Sequence, residues 1–418
     1  MKKMLIFVGT ANNNNKFYQL ELVGDTVEIE YGRVGNGPQS TSYSGGERMF
    51  NKKLNEKLRK GYVESKVNTE IIETTSNSQG NILDIAMEQI TTDNISAKLI
   101  AKLVQQNIHN ITSNTKIKYD IKTGYFKTAL GIITEDGVTE AIEILHKLMK
   151  LVLKKKHINN PKFILLNEQY FSIIPTRLAS LRDFHNLLIT EEKIESQKDI
   201  CEALLQSLQI IEAEKAKLKA STNKDKIVHE QLFQASVLEL KDQTEFKRIR
   251  KYFIDSKNTR HGHSAYDISK IYKVSLGKEK EEFRDDLQNQ MELFHGTKIA
   301  NLLSILKSGL LMPKYSPGQT TGYMYGQGLY FANQSTKSLN YCDGMYWNRS
   351  KSQDKIYMFI ADIAMGNYQV PRSSRSTKPD SGYDSYWAQS NKSGIQNDEM
   401  IVFNNNQIKL KYILEISK

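Results

Sequence analysis

Four short segments in the last third of the chain carry most of the side chains able to do chemistry. They are Phe294-His295-Gly296-Thr297, Gly328-Leu329-Tyr330-Phe331-Ala332, Lys337-Ser338-Leu339-Asn340-Tyr341 and Asp398-Glu399-Met400-Ile401-Val402. Aromatic rings hold a flat cationic group by stacking and cation-to-ring contact without reacting with it. A carboxylate stabilises positive charge developing at a reacting carbon, and a glycine lets backbone approach a ligand where a Cβ would intrude. Other chemistries fit less well. No Walker loop and no His-Glu-x-x-His occur, and His261 and His263 lack Cys or carboxylate partners at ligand spacing. A dinucleotide fold wants G-x-G-x-x-G between strand and helix, whereas Gly326-Gln327-Gly328 runs on into Leu329-Tyr330-Phe331.

These segments need a framework to bring them together. Alternating apolar and polar residues predict strands over Met291 to Phe294, Ile356 to Ile363, Met400 to Phe403 and Ile408 to Ile416. They form a mixed or antiparallel sheet within an α+β region spanning 230–418. Upstream, 81–229 reads as helical: Leu99, Leu103 and Val104, then Ala141, Ile144, Leu145 and Leu148, then Leu204, Leu205, Leu208 and Ile211 form stripes of helical period. A polar stretch at 69–80 reads as a linker. Residues 1–68 are strand-rich, with Met4 to Val8, Phe17 to Val23 and Thr26 to Tyr31 separated by turn formers such as Gly24-Asp25. A Gly/Ser/Thr loop then leads to a basic helix over Gly46 to Tyr62, whose stripe is Met49, Phe50, Leu54 and Leu58.

The chain has 418 residues, enough for roughly two to four domains with cores of their own. Lys and Arg outnumber Asp and Glu 58 to 47, a formal charge of +11 that favours polyanionic partners. Only Cys201 and Cys342 are present, which excludes a disulfide framework and a Cys-rich zinc site. The apolar run Leu5 to Val8 is too short for a signal sequence or a membrane span. The expectation is a soluble intracellular protein with no membrane partner and no metal.

Taken in order, the four segments resemble the NAD-consuming site of the poly(ADP-ribose) polymerases. Tyr31-Gly32-Arg33-Val34-Gly35 with its flanking strands resembles the family's WGR domain, with Tyr31 where the naming Trp would stand. Leu166 to Pro175 resembles part of its helical regulatory domain. The resemblance implies three parts: a small β-rich WGR-like DNA-binding domain at 1–68, an all-α regulatory domain at 81–229 and an α+β ADP-ribosyltransferase domain at 230–418. It implies NAD+ as substrate and release of nicotinamide. Tyr330 and Tyr341 would sandwich the pyridinium, and the Gly296 backbone and the Ser338 hydroxyl would fix the carboxamide. His295, Thr297 and Asn301 would contact ribose, and Lys337 belongs to the same site. Glu399 would bind the 2′-hydroxyl of the nicotinamide ribose, stabilise the developing charge and orient the acceptor. Tyr31, Arg33, Lys52 and Lys53 would meet DNA ends or nicks.

The implied activity is DNA-break-dependent poly(ADP-ribosyl)ation of proteins, the enzyme itself included. It would act in the nucleus of a eukaryote, or the cytoplasm or nucleoid of a bacterium. Two departures bear on it. Leu311 follows Gly309-Leu310 where the family often has Arg, and Asn397-Asp398 replaces Tyr-Asn before the catalytic Glu. The alternatives are a mono-ADP-ribosyltransferase and a catalytically weak DNA-end-binding adaptor.

Overall fold

The computed structural model describes residues 1–9, 14–33, 37–64, 67–68, 81–128, 131–157, 160–176, 187–221, 231–312, 324–343, 345, 354–373 and 376–418. The linker at 69–80 and Val34-Gly35 lie outside these residues. Contacts divide the chain into two units: Met1–Ile82 with Ile108–Asn223, and Leu83–Asn107 with Lys224–Ser316 and Thr320–Lys418.

In the first unit an antiparallel sheet runs in the order Gln39–Ser44, Thr26–Arg33, Asn14–Val23, Lys2–Gly9 and Val63–Glu64. Residues on one face alternate with those on the other. Leu5, Tyr18, Leu20, Val27 and Ile29 therefore meet Phe50 of the helix Gly46–Arg59, while Met4, Ile6 and Val8 form a second apolar cluster. The helix Pro161–Ile173 packs along Lys2–Gly9. The predicted loop after Arg33 contains the strand Gln39–Ser44, which pairs with Thr26–Arg33. Its polar sequence follows from its place at the sheet edge. Leu58, expected in the buried stripe, is 41% exposed because the helix ends at Arg59, beyond the reach of the core.

Helices Glu135–Leu153, Pro161–Ile173 and Glu191–Ser221 pack together in the same unit. The first presents Val138, Ala141, Leu145, Leu148 and Val152 as one buried face and is capped by Thr134, whose hydroxyl accepts from Gly137 N at 3.2 Å. Short strands Lys118–Tyr119, Phe126–Thr128 and Gly131–Ile133 also occur in this otherwise helical region.

The second unit contains two sheets. The larger runs Gln290–Gly296, Ile356–Ala364, Ile408–Ser417, Asp267–Leu276, Ala235–Glu239 and Thr91–Thr92, antiparallel except for its last pair. Strand Ile356–Ala364 is buried almost throughout, and its one acidic residue, Asp362, pairs with Lys411 at 3.1 Å. The smaller sheet runs Leu329–Phe331, Glu399–Val402, Ser385–Ala388 and Tyr368–Gln369. The two meet where Phe294 and Ala332 exchange backbone hydrogen bonds of 2.9 and 3.0 Å. The mixed helix-and-strand architecture is that of an α+β multidomain protein.

Helix Asn94–Asn114 begins in this unit on Asp93, whose carboxylate accepts from Ile95 N, Ser96 N and Ser96 Oγ and from Glu239 N on the neighbouring strand. Burial pushes the Asp93 carboxyl up, but these hydrogen bonds outweigh it and hold the group at about 2. Further along the helix, buried Asn107 donates to Ala300 O at 3.2 Å, and Lys102 donates to the Tyr357 hydroxyl at 3.4 Å.

Candidate active site

The seam between the two sheets gathers the residues singled out in the sequence. His295 and Gly296 end the strand Gln290–Gly296, and Tyr330 lies on Leu329–Phe331. Glu399 opens the strand paired with the latter, in the register Tyr330 to Ile401. His295 Nδ1 lies 3.0 Å from Tyr330 O. A carbonyl only accepts, so Nδ1 carries the proton and Nε2 is left as an acceptor. Burial lowers the imidazole pKa, against the opposing pull of that hydrogen bond, and keeps the ring neutral.

The Tyr330 ring is fixed at its tip. Its hydroxyl donates to Gly326 O at 2.7 Å and accepts from Tyr325 N at 2.9 Å. Gly326 is required there: its φ is +93°, and a Cβ would sit 1.8 Å from Thr377 O. Tyr325, which lies in a segment, Gly322 to Gly326, whose sequence also resembles the family, is fully buried beneath this turn.

The helix Ser335–Leu339 supplies Lys337 and Ser338 and leads to Tyr341. Ser338 Oγ donates to Phe294 O at 3.1 Å, and a Cβ on Gly296 would sit 1.8 Å from Ser338 O. Backbone therefore lies directly against backbone here, which only glycine allows. Lys337 Nζ forms an ion pair with Glu399 Oε1, both side chains being largely buried at 12% and 14% exposure. Burial lowers the Lys337 pKa, while Glu399 pulls it back up. Burial and the Glu399 carboxylate push the Tyr341 phenol up to about 12, although 46% of the residue's surface is exposed.

The carboxylate next door has another task. Asp398 accepts from Trp387 Nε1 and from Ser390 N, each at 2.9 Å, so the two acids have separate partners. Thr297 and Asn301 bond to each other at 3.1 Å at the start of helix Ile299–Ser308, whose first amide is held by Asp343. Leu311 is 53% exposed. His261 and His263 bond to Thr336 and Asn340, and among the described residues no cluster of three metal-ligating side chains occurs. No helix among them is long and apolar enough to cross a membrane.

The residues expected to meet DNA are in the first unit. Tyr31 packs beside Tyr18 at 6.1 Å between ring centroids, and Arg33 ends the same strand. Lys52 and Lys53 are on the helix Gly46–Arg59, with Lys53 Nζ 3.9 Å from the centroid of the Tyr43 ring.

Comparison with known proteins agrees with this arrangement. Family models match in chain order: the WGR domain over residues 1–69, the poly(ADP-ribose) polymerase regulatory domain over 97–233 and the poly(ADP-ribose) polymerase catalytic domain over 243–418. The chain is 25% identical to human Poly [ADP-ribose] polymerase 2 over 97% of its own length and 77% of that protein's. It is 24% identical to Poly [ADP-ribose] polymerase 2-B of Oryza sativa subsp. japonica, covering 97% and 70% of the two chains. It is 25% identical to human Protein mono-ADP-ribosyltransferase PARP3, covering 90% and 74%. With all three domains matched in order, the chain belongs to the poly(ADP-ribose) polymerase family and is an NAD+ ADP-ribosyltransferase.

Proposed function

We propose that the protein is a DNA-break-dependent poly(ADP-ribose) polymerase that modifies proteins, itself included. Its parts are a DNA-binding segment at 1–68, a regulatory helical segment at 81–229 and a catalytic segment at 230–418. The observation that carries the reading is the linkage of His295, Tyr330 and Glu399 across adjoining strands, with Lys337 paired to Glu399.

In the reaction, the bond from C1′ of the nicotinamide ribose to the pyridinium nitrogen breaks, and nicotinamide leaves with the electron pair. Positive charge grows on the sugar. Glu399 opposes that charge and holds the 2′-hydroxyl, and it orients the acceptor nucleophile that then bonds to C1′. Tyr330 and Tyr341 flank the ring, with Tyr330 unable to swing because its hydroxyl is fixed at both ends. The Gly296 backbone and Ser338 hold the carboxamide, and the Nε2 acceptor of His295 receives a ribose hydroxyl, with Thr297 and Asn301 nearby. Tyr31, Arg33, Lys52 and Lys53 meet the DNA ends or nicks. DNA binding shifts the regulatory helices toward a state that admits NAD+. The place of action follows the DNA: the nucleus in a eukaryote, the nucleoid in a bacterium.

Single-unit transfer is the second reading. It draws on Asn397 and Asp398, whose side chains are engaged with Asn258, Trp387 and Ser390. Incubation with radiolabelled NAD+, with and without nicked or blunt DNA, alongside Glu399→Gln, separates the readings on a gel. DNA-stimulated label smeared to high mass, lost or shortened in the variant, is the expected result. Discrete bands would replace polymer with mono-transfer, and no label under any DNA condition would leave an adaptor that binds ends without chemistry.

A further inference from the structure

Lys337 and Glu399 come from different elements, a five-residue helix and the first position of a four-residue strand. Elements this short have little rigidity of their own. What holds the pair in register is a loop from elsewhere in the chain. Following the helix Gln243–Asp255, Asn258 donates through its backbone N to Thr336 Oγ1 at 2.9 Å. Its side-chain amide donates to Gln334 Oε1 at 3.2 Å and to Asn397 Oδ1 at 3.1 Å. One side chain thus bridges the residue just before the Lys337 helix and the residue two positions before Glu399.

His261, one turn on, lies 2.9 Å from the same Thr336 hydroxyl through Nδ1. That hydroxyl accepts from Asn258 N and keeps one proton and one further lone pair, so His261 Nδ1 bonds to it as acceptor or donor according to the tautomer. Burial lowers the His261 pKa, as do His263 and Lys337, while a contact with the Asn397 side chain opposes them. The ring is thereby biased toward its neutral form. His263 Nε2 adds a third contact, to Asn340 Oδ1 at 2.7 Å, at the far end of the helix.

We propose that Asn258 and His261 are positioning residues for the transfer reaction: through Thr336 and Asn397 they staple the Lys337 helix to the Glu399 strand and so fix the carboxylate against the reacting sugar. The inference rests on the reading of Glu399 and Lys337 as site residues. The helix that the staple holds also carries Ser338, but Ser338 has an anchor of its own in the bond from its Oγ to Phe294 O. Loss of the staple therefore acts on the chemical step more than on substrate binding, because small displacements of a reacting group are costly.

The test uses the full chain with DNA and measures nicotinamide release for His261→Leu, His261→Asn, Thr336→Val and the double variant His261→Leu with Thr336→Val. Binding of free nicotinamide is followed by calorimetry and folding by thermal melting. The expected result for His261→Leu is a kcat lowered by about 10- to 100-fold, with KM and nicotinamide affinity near those of the parent. His261→Asn, whose amide offers both an acceptor and a donor in place of Nδ1, restores most of the rate. The double variant loses less than the two single losses combined, since the contact between His261 and Thr336 is shared. Parent-like kcat in His261→Leu and Thr336→Val would overturn the inference, as would equal losses in kcat and nicotinamide affinity or additive losses in the double variant. An inactive parent enzyme would instead sink the catalytic reading itself.

Discussion

Asp398 and Glu399 are adjacent carboxylates with different partners. One joins Trp387 and Ser390, the other Lys337. Residue type alone gives no way to assign the two tasks, and the assignment of Glu399 came from its place before Met400-Ile401-Val402. His295, Gly296, Tyr330 and Ser338 stand out in the sequence for the same reason, since their local segments carry the pattern, and the fold brings them to one seam. Asn258 and Thr336 do not stand out. Their role exists only through contacts across 78 positions of sequence, between residues that are ordinary in isolation. Glu279 was equally silent, since a glutamate on a short polar helix reads as a solvated group. In the fold its Oε2 accepts from Leu410 N at 2.8 Å, and burial pushes its carboxyl up from 4.5 to about 7. A raised folded pKa contributes stability that is complete below the unfolded value and lost as pH rises through the folded one. Glu279 should therefore contribute a lower melting temperature at pH 8 than at pH 5, against His261 and His295, whose lowered pKa values add stability as pH rises. Glu279→Gln, which retains an acceptor oxygen without ionising, should raise the melting temperature at pH 8 relative to that at pH 5. An unchanged pH slope in the variant would contradict this account.

At the scale of elements, the helix Asn94–Asn114 lies largely within the segment matched by the regulatory domain. Asn107 is buried and donates to Ala300 O, one residue from Asn301. Asn107→Leu removes that hydrogen bond, worth about 1 kcal/mol, and should raise nicotinamide release in the absence of DNA about fivefold. DNA-stimulated release should change less. Equal effects with and without DNA would show that the contact does not restrain the unstimulated enzyme. The helix was visible in the spacing of Leu99, Leu103 and Val104, all of them buried. Strand positions were legible as well: Ile356 to Ile363 appears as Ile356–Ala364, and Ile408 to Ile416 as Ile408–Ser417. The edge strand Gln39–Ser44 escaped because most of its residues are exposed, so no apolar alternation betrays it. Thr91–Thr92 escaped because two residues carry no period at all.

For the molecule as a whole, the charge of +11 and the basic helix Gly46–Arg59 belong to the proposed DNA encounter. Not every lysine on that helix is equally available. Lys57 Nζ lies 4.1 Å from the centroid of the Tyr18 ring and is partly withdrawn from water, whereas Lys52 is exposed. Replacing both Lys52 and Lys53 with Ala should weaken binding to nicked DNA and reduce the slope of log affinity against log salt by about 2. An unaltered slope would move the phosphate contacts elsewhere. In the second unit, the larger and smaller sheets keep cores of their own, built around Phe294, Met358 and Leu414 in one and Tyr325, Tyr386 and Ile401 in the other. Between strands Gln290–Gly296 and Leu329–Phe331 the described ladder is the single reciprocal exchange between Phe294 and Ala332. With the His295 Nδ1 bond to Tyr330 O as the other tie, such a join behaves as a loosely stitched crack: it can breathe without melting either core. In the proposed binding mode, a nicotinamide gripped from the Gly296 side and the Tyr330 side at once acts as a splint across the crack. Deuterium uptake at the Phe294 and Ala332 amides should consequently slow when the ligand binds, while uptake along Ile408–Ser417 stays the same, which makes those two amides a built-in gauge of how far the cleft stands open.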